Sequence, residues 1–223
     1  MNRPLLILSS LFVFLTTSCS DDESYNDHAT LYDIVTFEGN TDSGAQFTLL
    51  RQDDAPAVSL LARGTKVDTE TIEPEKRVFI GYIPASGEPY TSGDITLTGA
   101  SAINNDVLRI SSLDSIPAWD SDPIYLNSIW RTGNFINIYC RVSYSDEKRA
   151  FILMVDRATR DDAIPQLYLV HNLLGEPQSF TRRAYLSVDI SSLWSETSCH
   201  GVTVHLNDSN LPQNTYTFYK STE

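Results

Sequence analysis

From Leu31 onward, apolar and polar residues alternate in short runs of period two, and scarcely any stretch carries helical spacing. Leu31 to Glu38 is rich in strand formers and stops at the turn pair Gly39-Asn40. Gln46 to Leu50, Val58 to Leu61, Val78 to Ile83 and Ile95 to Leu97 follow. Gly44, Gly64, Pro74, Pro84, Gly87, Pro89, Gly93 and Gly99 punctuate them. Five or so short strands in about 80 residues predict a small barrel, because OB-like closure removes the exposed edges that short strands create. A small open sandwich fits the same pattern.

Asn104-Asn105-Asp106, and then Pro117 to Pro123, interrupt the alternation and mark a join, placed near Ser111. Beyond it the strands are longer. Asn134 to Tyr144 puts Ile136, Ile138, Cys140, Val142 and Tyr144 on one face, with Asn137, Arg141 and Ser143 on the other. Ser145-Asp146-Glu147-Lys148 turns the chain into Ala150 to Val155, which is apolar on both faces and reads as central. Leu167 to Asn172, Tyr185 to Ile190 and Val202 to Leu206 continue the series, and Tyr216 to Tyr219 adds an edge strand. Within them Leu186, Val188, Ile190, Val202, Val204 and Leu206 face in, while Ser187 and Asp189 face out. Six or seven antiparallel strands over about 100 residues predict a β-sandwich. The expected fold class is all-β: an OB-like barrel over residues 31–110, then an antiparallel sandwich over residues 111–220.

The first 18 residues follow another rule. Asn2-Arg3-Pro4 is a minimal positive n-region, and Leu5 to Leu15 is apolar except for Ser9 and Ser10. That run is roughly half of the ~20 residues a membrane-spanning helix needs, so residues 1–18 read as a signal peptide. Leu15-Thr16-Thr17-Ser18-Cys19 resembles a lipobox, with Thr16 where such motifs usually carry Leu. Cys19 is therefore the expected lipidation site and membrane attachment, ordinary secretion being the alternative. Residues 19–30 form an acidic tether, in which Ser20, Asp21, Asp22 and Glu23 resemble a surface-export tag of outer-membrane lipoproteins. A plain solvated linker is the other reading. The expected location is the outer membrane, lipid-anchored and facing the cell exterior, with a periplasm-facing position as the alternative.

Charge and cysteines narrow the partners. The 223 residues carry a formal net charge of −13, and the signal peptide contains Arg3 but no acid, so the mature body is more acidic still. Such a body repels phosphate backbones, which excludes nucleic acid as a partner. Cys140 sits among residues spaced by two and faces a core; Cys199 lies in a polar loop. The two could form one disulfide in an oxidising compartment, but they read more naturally as separate thiols.

No G-x-S-x-G elbow, H-E-x-x-H, Walker loop or dinucleotide glycine motif occurs, and no cofactor is expected. His200 and His205 fall on opposite faces of one strand and cannot close on a single Zn²⁺, so no metal site is expected there. His171 reads as a histidine bonded to loop carbonyls, and Asp161-Asp162 as a solvated loop rather than a Ca²⁺ site. Trp130, heading a core strand, is expected inside, with an exposed sugar-stacking position as the alternative. Trp119 and Trp194 lie in loops and are the candidate binding residues.

Three segments of the second half, DPIYLNSIWRTGNFINIYCRV (Asp122 to Val142), LYLVHNLLGEP (Leu167 to Pro177) and YLSVDISSL (Tyr185 to Leu193), carry a resemblance to the NigD-like family of bacterial lipoproteins. Trp130, Gly133 and Asn137 hold the family's Trp–small–Asn spacing. His171-Asn172 followed by Gly175 resembles its His-Asn turn, with Val170 where members often have Arg. YDIVTFEG and VFIGYI in the first half are similar to the family's N-terminal OB-like domain. The resemblance implies at most an immunity or accessory role, from the bacteriocin gene cluster behind the label, and carries over no active site. The expected function is a non-catalytic, membrane-tethered module binding an envelope protein or glycan. Bacteriocin immunity or envelope protection, and a cryptic hydrolase built from scattered loop acids, are the alternatives.

Overall fold

The computed structural model describes residues 29–52, 54–113, 122–143, 150–172 and 180–221. Five strands, β1 (Leu31–Asn40), β2 (Gly44–Leu49), β3 (Val58–Arg63), β4 (Lys76–Pro84) and β5 (Gly93–Ala102), close into a barrel in the order β1-β2-β3-β5-β4. That order is the OB arrangement, so of the two architectures open to the first half it is the barrel that forms. Alternate residues fill its centre: Val35, Phe37, Phe47, Leu60, Ile80 and Tyr82 are all almost wholly buried. Closure is uneven. β3 and β5 meet over two residue pairs, Leu60 with Gly93 and Leu61 with Asp94, and a bidentate Arg63–Asp94 contact clamps the seam from outside.

The turn into β2 needs glycine. Gly44 has φ +143°, and a Cβ there would lie 2.1 Å from the Ala62 carbonyl oxygen on β3. Only a residue without a side chain lets the two strands approach this closely.

The chain then enters the second unit at once. β6 (Asn104–Val107) and β7 (Arg109–Ser111) follow, with β8 (Tyr125–Thr132), β9 (Phe135–Ser143), β10 (Ala150–Asp156), β11 (Gln166–Asn172), β12 (Thr181–Asp189), the four-residue helix α1 (Ser191–Trp194), β13 (Gly201–His205) and β14 (Thr215–Tyr219). One sheet has the order β14-β13-β11-β10-β7 and the other β6-β12-β9-β8. Between them lies a core that includes Ile136, Ile138, Leu153, Leu167, Leu186, Val188, Val202 and Val204.

Most neighbours are antiparallel, but β6–β12, β7–β10 and β11–β13 are parallel. The polar run Asn104-Asn105-Asp106, expected to break the strand pattern, is itself a strand. β6 sits at a sheet edge with little to bury, so it has no hydrophobic alternation to reveal it. The expected join near Ser111 falls at the end of β7, which pairs with β10 of the sandwich. The expected turn at Ser145 to Lys148 lies outside the described residues.

Cys140 and Cys199 are both free and both buried in this core, the Cys199 thiol donating to the Gly201 carbonyl at 3.3 Å. His171 is buried, edge-on to Phe151, with Nδ1 3.2 Å from the Asp122 carbonyl oxygen; burial holds its pKa below the usual value. His200 is exposed, while His205 bonds Gln166 at 2.7 Å and stacks on Tyr168. Asp161 and Asp162 are exposed in their loop.

Period two also assigned Asn137 and Ser187 to an outward face, yet they are 0% and 1% exposed. The barrel covers that end of the sheet, so the outer face of the sandwich is here an interior. The Ser187 hydroxyl donates to Asn137 Oδ1 (2.8 Å), and Asn137 Nδ2 donates to Thr132 Oγ1 (2.9 Å). From the barrel side, Arg77 Nη2 donates to the same Thr132 oxygen (3.3 Å) and to the Ile34 carbonyl (2.8 Å). The Arg77 guanidinium lies 4.8 Å from the Phe135 ring centroid. Beside it Phe79, Tyr185 and Tyr139 stack in sequence at 4.5 and 4.6 Å, carrying the barrel surface into the sheet.

Asn105 completes the weld. Its side-chain amide accepts from the Arg77 backbone N–H and donates to the Arg77 carbonyl, both at 2.9 Å, as a strand neighbour would. Buried polar groups at a domain contact are costly unless paired, and here nearly all are. The exception is Arg77 Nε, buried without a partner among the described residues.

Candidate functional site

Where barrel and sandwich meet, a cleft of about 350 Å³ opens between three walls. The first is the start of β1, which supplies Asp33 and Ile34. The second is the segment leaving β2, with Leu50, Arg51 and Gln52. The third is the end of β8, with Trp130 and Thr132, and Tyr90 from the β4–β5 loop closes the rim. A junction of domains is a common place for a small-molecule pocket, and the volume lies at the lower end of the usual range of about 300–1,000 Å³.

Trp130 reaches the cleft by strand parity. It pairs with Asn137 and so shares the barrel-facing side with Thr132, while Ile129 pairs with Ile138 on the core side. The expectation that Trp130 packs inside the sandwich is therefore corrected. A one-residue shift in the β8–β9 register between Leu126 and Ser128 changes which residues of β8 face the core. Trp130 is half-buried, and its side chain makes no hydrogen bond or ring contact with any described residue.

Asp33 receives the Tyr82 hydroxyl at 3.0 Å. Burial raises its pKa, against the opposing pull of the Tyr82 hydrogen bond and the Arg77 charge. The Tyr82 phenol is in turn raised, by burial first and then by Asp33. Arg77 lies behind Ile34 and Thr132, and burial pulls its pKa down to about 10, with Asp33 the charge that opposes the fall. Asp33 is the one carboxylate among the described residues lining the cleft.

The loops that frame the cleft are held in unusual backbone. Asp54 and Tyr90 have φ of +56° and +57°, a left-handed conformation that non-glycine residues seldom adopt. Arg131 of β8 holds the first of these loops, its Nη1 and Nη2 reaching Asp54 Oδ1 (2.8 Å) and Oδ2 (2.5 Å). Gly133, at φ +52°, leaves room for the Leu50 side chain; a Cβ there would sit 3.1 Å from Leu50 Cδ1.

Of the residues singled out in the sequence, Cys19, Ser20, Asp21, Asp22, Glu23 and Trp119 lie outside the described residues. Trp194 ends α1, half-buried against the sandwich core. Its ring carries Arg131 at 4.5 Å and Lys220 at 5.7 Å from the centroid, and it does not line the cleft. The cleft residues from the barrel went unnoticed because nothing in the sequence places Asp33, Gln52 and Tyr90 together. Trp130 carried the only legible signal. Among the described residues no group of three His, Cys, Asp or Glu side chains is arranged to hold a metal ion. No helix among them is long and apolar enough to cross a membrane.

An OB-like barrel docked on one face of a β-sandwich, with a mixed polar and aromatic cleft at the junction, defines a class of two-domain all-β proteins. Residues 112–220 match the NigD-like C-terminal beta sandwich domain, so the second half of the chain is similar to that domain of the NigD-like proteins. Solved structures share the whole arrangement. A DUF1344 protein of unknown function from Bacteroides vulgatus aligns with TM-score 0.67 at 15% identity, over 87% of this chain and 92% of that one. A NigD-like immunity protein from Bacteroides caccae aligns with TM-score 0.53 at 16% identity, over 85% and 92%. A candidate lipoprotein from Bacteroides fragilis gives 0.57 at 14% identity, over 87% and 100%. At these identities the likeness is one of fold. Among curated proteins none matches the chain.

Proposed function

We propose that this protein is a non-catalytic binding module of the cell envelope, anchored through acylated Cys19, and that it engages its partner at the cleft between barrel and sandwich. The observation that carries the reading is Trp130. A large aromatic side chain without a ring or hydrogen-bond partner among the described residues lines a concave site between barrel and sandwich. Recognition needs such a surface, whereas glycoside hydrolysis needs paired carboxylates, and among the described residues lining this cleft Asp33 is the one carboxylate. The short apolar leader, Cys19 and the acidic tether support the envelope location, as does the fold shared with a candidate lipoprotein.

The test is capture from envelope extracts with the mature chain as bait, run beside Trp130→Ala. Capture lost in the variant supports the cleft; capture unchanged removes it. Cys19→Ser is expected to leave a folded protein in the soluble fraction. Its retention in the membrane pellet after a carbonate wash would remove the anchor.

The NigD-like immunity protein from Bacteroides caccae favours a second reading, in which the bound partner is a toxin of a neighbouring cell. Deletion of the gene is then expected to sensitise cells to supernatants of competing strains, and unchanged survival counts against it.

A further inference from the structure

We infer that the cleft between barrel and sandwich is a subsite for a neutral saccharide, with Trp130 as the surface on which a sugar ring rests. The inference builds on the proposed binding role of the cleft and adds the chemistry of what enters it.

Charge sets the first constraint. The chain as a whole is strongly acidic, so a polyanion meets repulsion on approach. A cation fares no better inside, because Arg51 lines the cleft and Arg77 lies behind Ile34 and Thr132. Asp33 sets one negative charge against them. A cleft with both signs in close opposition suits a ligand that is polar but uncharged.

The lining sets the second. An indole beside a planar amide (Gln52), a carboxylate (Asp33) and a guanidinium (Arg51) offers one apolar plane with hydrogen-bonding groups around it. A pyranose has that division: its axial C–H bonds make an apolar face, and its hydroxyls, each donor and acceptor, ring the equator. Gln52 is exposed and makes no hydrogen bond with any described residue, so its amide can bond to a ligand without breaking a contact. Apolar packing from Leu49 and Leu50 completes the wall.

A peptide added as a strand fits less well. Strand addition needs open backbone groups along an edge. At the cleft the Ile34 carbonyl of β1 is already taken by Arg77 at 2.8 Å.

Isothermal titration of the mature chain tests this with neutral trisaccharides of gluco, galacto and manno configuration. A galacturonic acid trimer and a glucosamine trimer serve as the charged arms. At least one neutral trisaccharide is expected to bind tighter than about 1 mM. Trp130→Ala should weaken it at least tenfold, Trp130→Phe should restore most of the loss, and Tyr219→Ala, on the exposed strand β14, should leave it unchanged. Each variant is first checked for the native circular dichroism spectrum and melting temperature. Equal binding by Trp130→Ala, or preference for a charged trimer, overturns the inference. So does the absence of binding by every trimer; if envelope capture still depends on Trp130 in that case, the binding role stands and only the ligand class falls.

Discussion

Arg131 of the sandwich grips Asp54 of the barrel through both arms of its guanidinium, at 2.8 and 2.5 Å, while its third contact returns to the Gly133 carbonyl at 2.6 Å. The arginine side chain is 6% exposed and the aspartate 36%. The pair therefore differs from a surface ion pair, for removing Asp54 strands a desolvated cation. Asp54→Ala is expected to lower stability by about 1–3 kcal/mol in urea titrations, several times the typical exposed pair. It should also weaken any cleft ligand, because the loop bearing Arg51 and Gln52 loses its tie.

Arg77 unites the domains with one guanidinium. It bonds Thr36 and Ile34 of the barrel and Thr132 of the sandwich, and its own backbone is bridged by Asn105. Lysine cannot reproduce that fork. Arg77→Lys is expected to cost about 2–4 kcal/mol and to split a single denaturation into two steps, read by near-ultraviolet circular dichroism against far-ultraviolet.

Asp33 gives a pH dependence of definite sign. Burial raises its folded pKa above the usual 3.8, so the folded state holds the proton more tightly than the unfolded chain. Stability from this group is full below the unfolded pKa and is lost as pH rises through the folded one. Asp33→Asn, which keeps an acceptor for Tyr82, should raise the melting temperature at neutral pH. The advantage should vanish below about pH 4.

Two glycines with left-handed backbone should respond differently to alanine. At Gly64, φ +71°, nothing lies within 4 Å of the added carbon, so only the backbone strain of about 1–2 kcal/mol is felt. At Gly44 the carbon meets the Ala62 carbonyl at 2.1 Å. Gly44→Ala should therefore be the more destabilising in parallel thermal melts, and by a wide margin.

Both thiols of the folded domains should be silent. Cys140 is 0% exposed and its pKa is pushed up to about 12 by burial, with Asp208 adding to the rise; Cys199 is 3% exposed. In a Cys19→Ser background, Ellman's reagent is expected to react only as fast as the protein unfolds. A prompt reaction would show an opening that the packed core does not contain.

Much of the architecture was legible because its strands are amphipathic. Alternation located β1 to β4 and β9 to β14 within a few residues and caught only Ile95 to Leu97 of β5. The burial of Cys140 was foreseen from its neighbours, whereas Cys199, expected in a polar loop, is buried as well. What failed has one physical origin. Period two distinguishes a core face from its opposite, but it cannot say whether the opposite face meets water or another domain. Asn137 and Ser187 are polar and buried for that reason, and β6 is polar because its work is done by the amide of Asn105. The cleft was hidden likewise. Its walls come from β1, a barrel loop and β8, nearly a hundred positions apart, and only Trp130 was conspicuous in the sequence.

β6 and β7 follow each other within a few residues, yet each seals the rim of a different sheet. A fragment begun at residue 112, where the domain match starts, would lack both. It would present β12 and β10 as long, bare strands, an invitation to pair with another molecule. The sandwich has its own guards against clumping only when the last few residues out of the barrel travel with it, so a soluble isolated half should begin near Ile103.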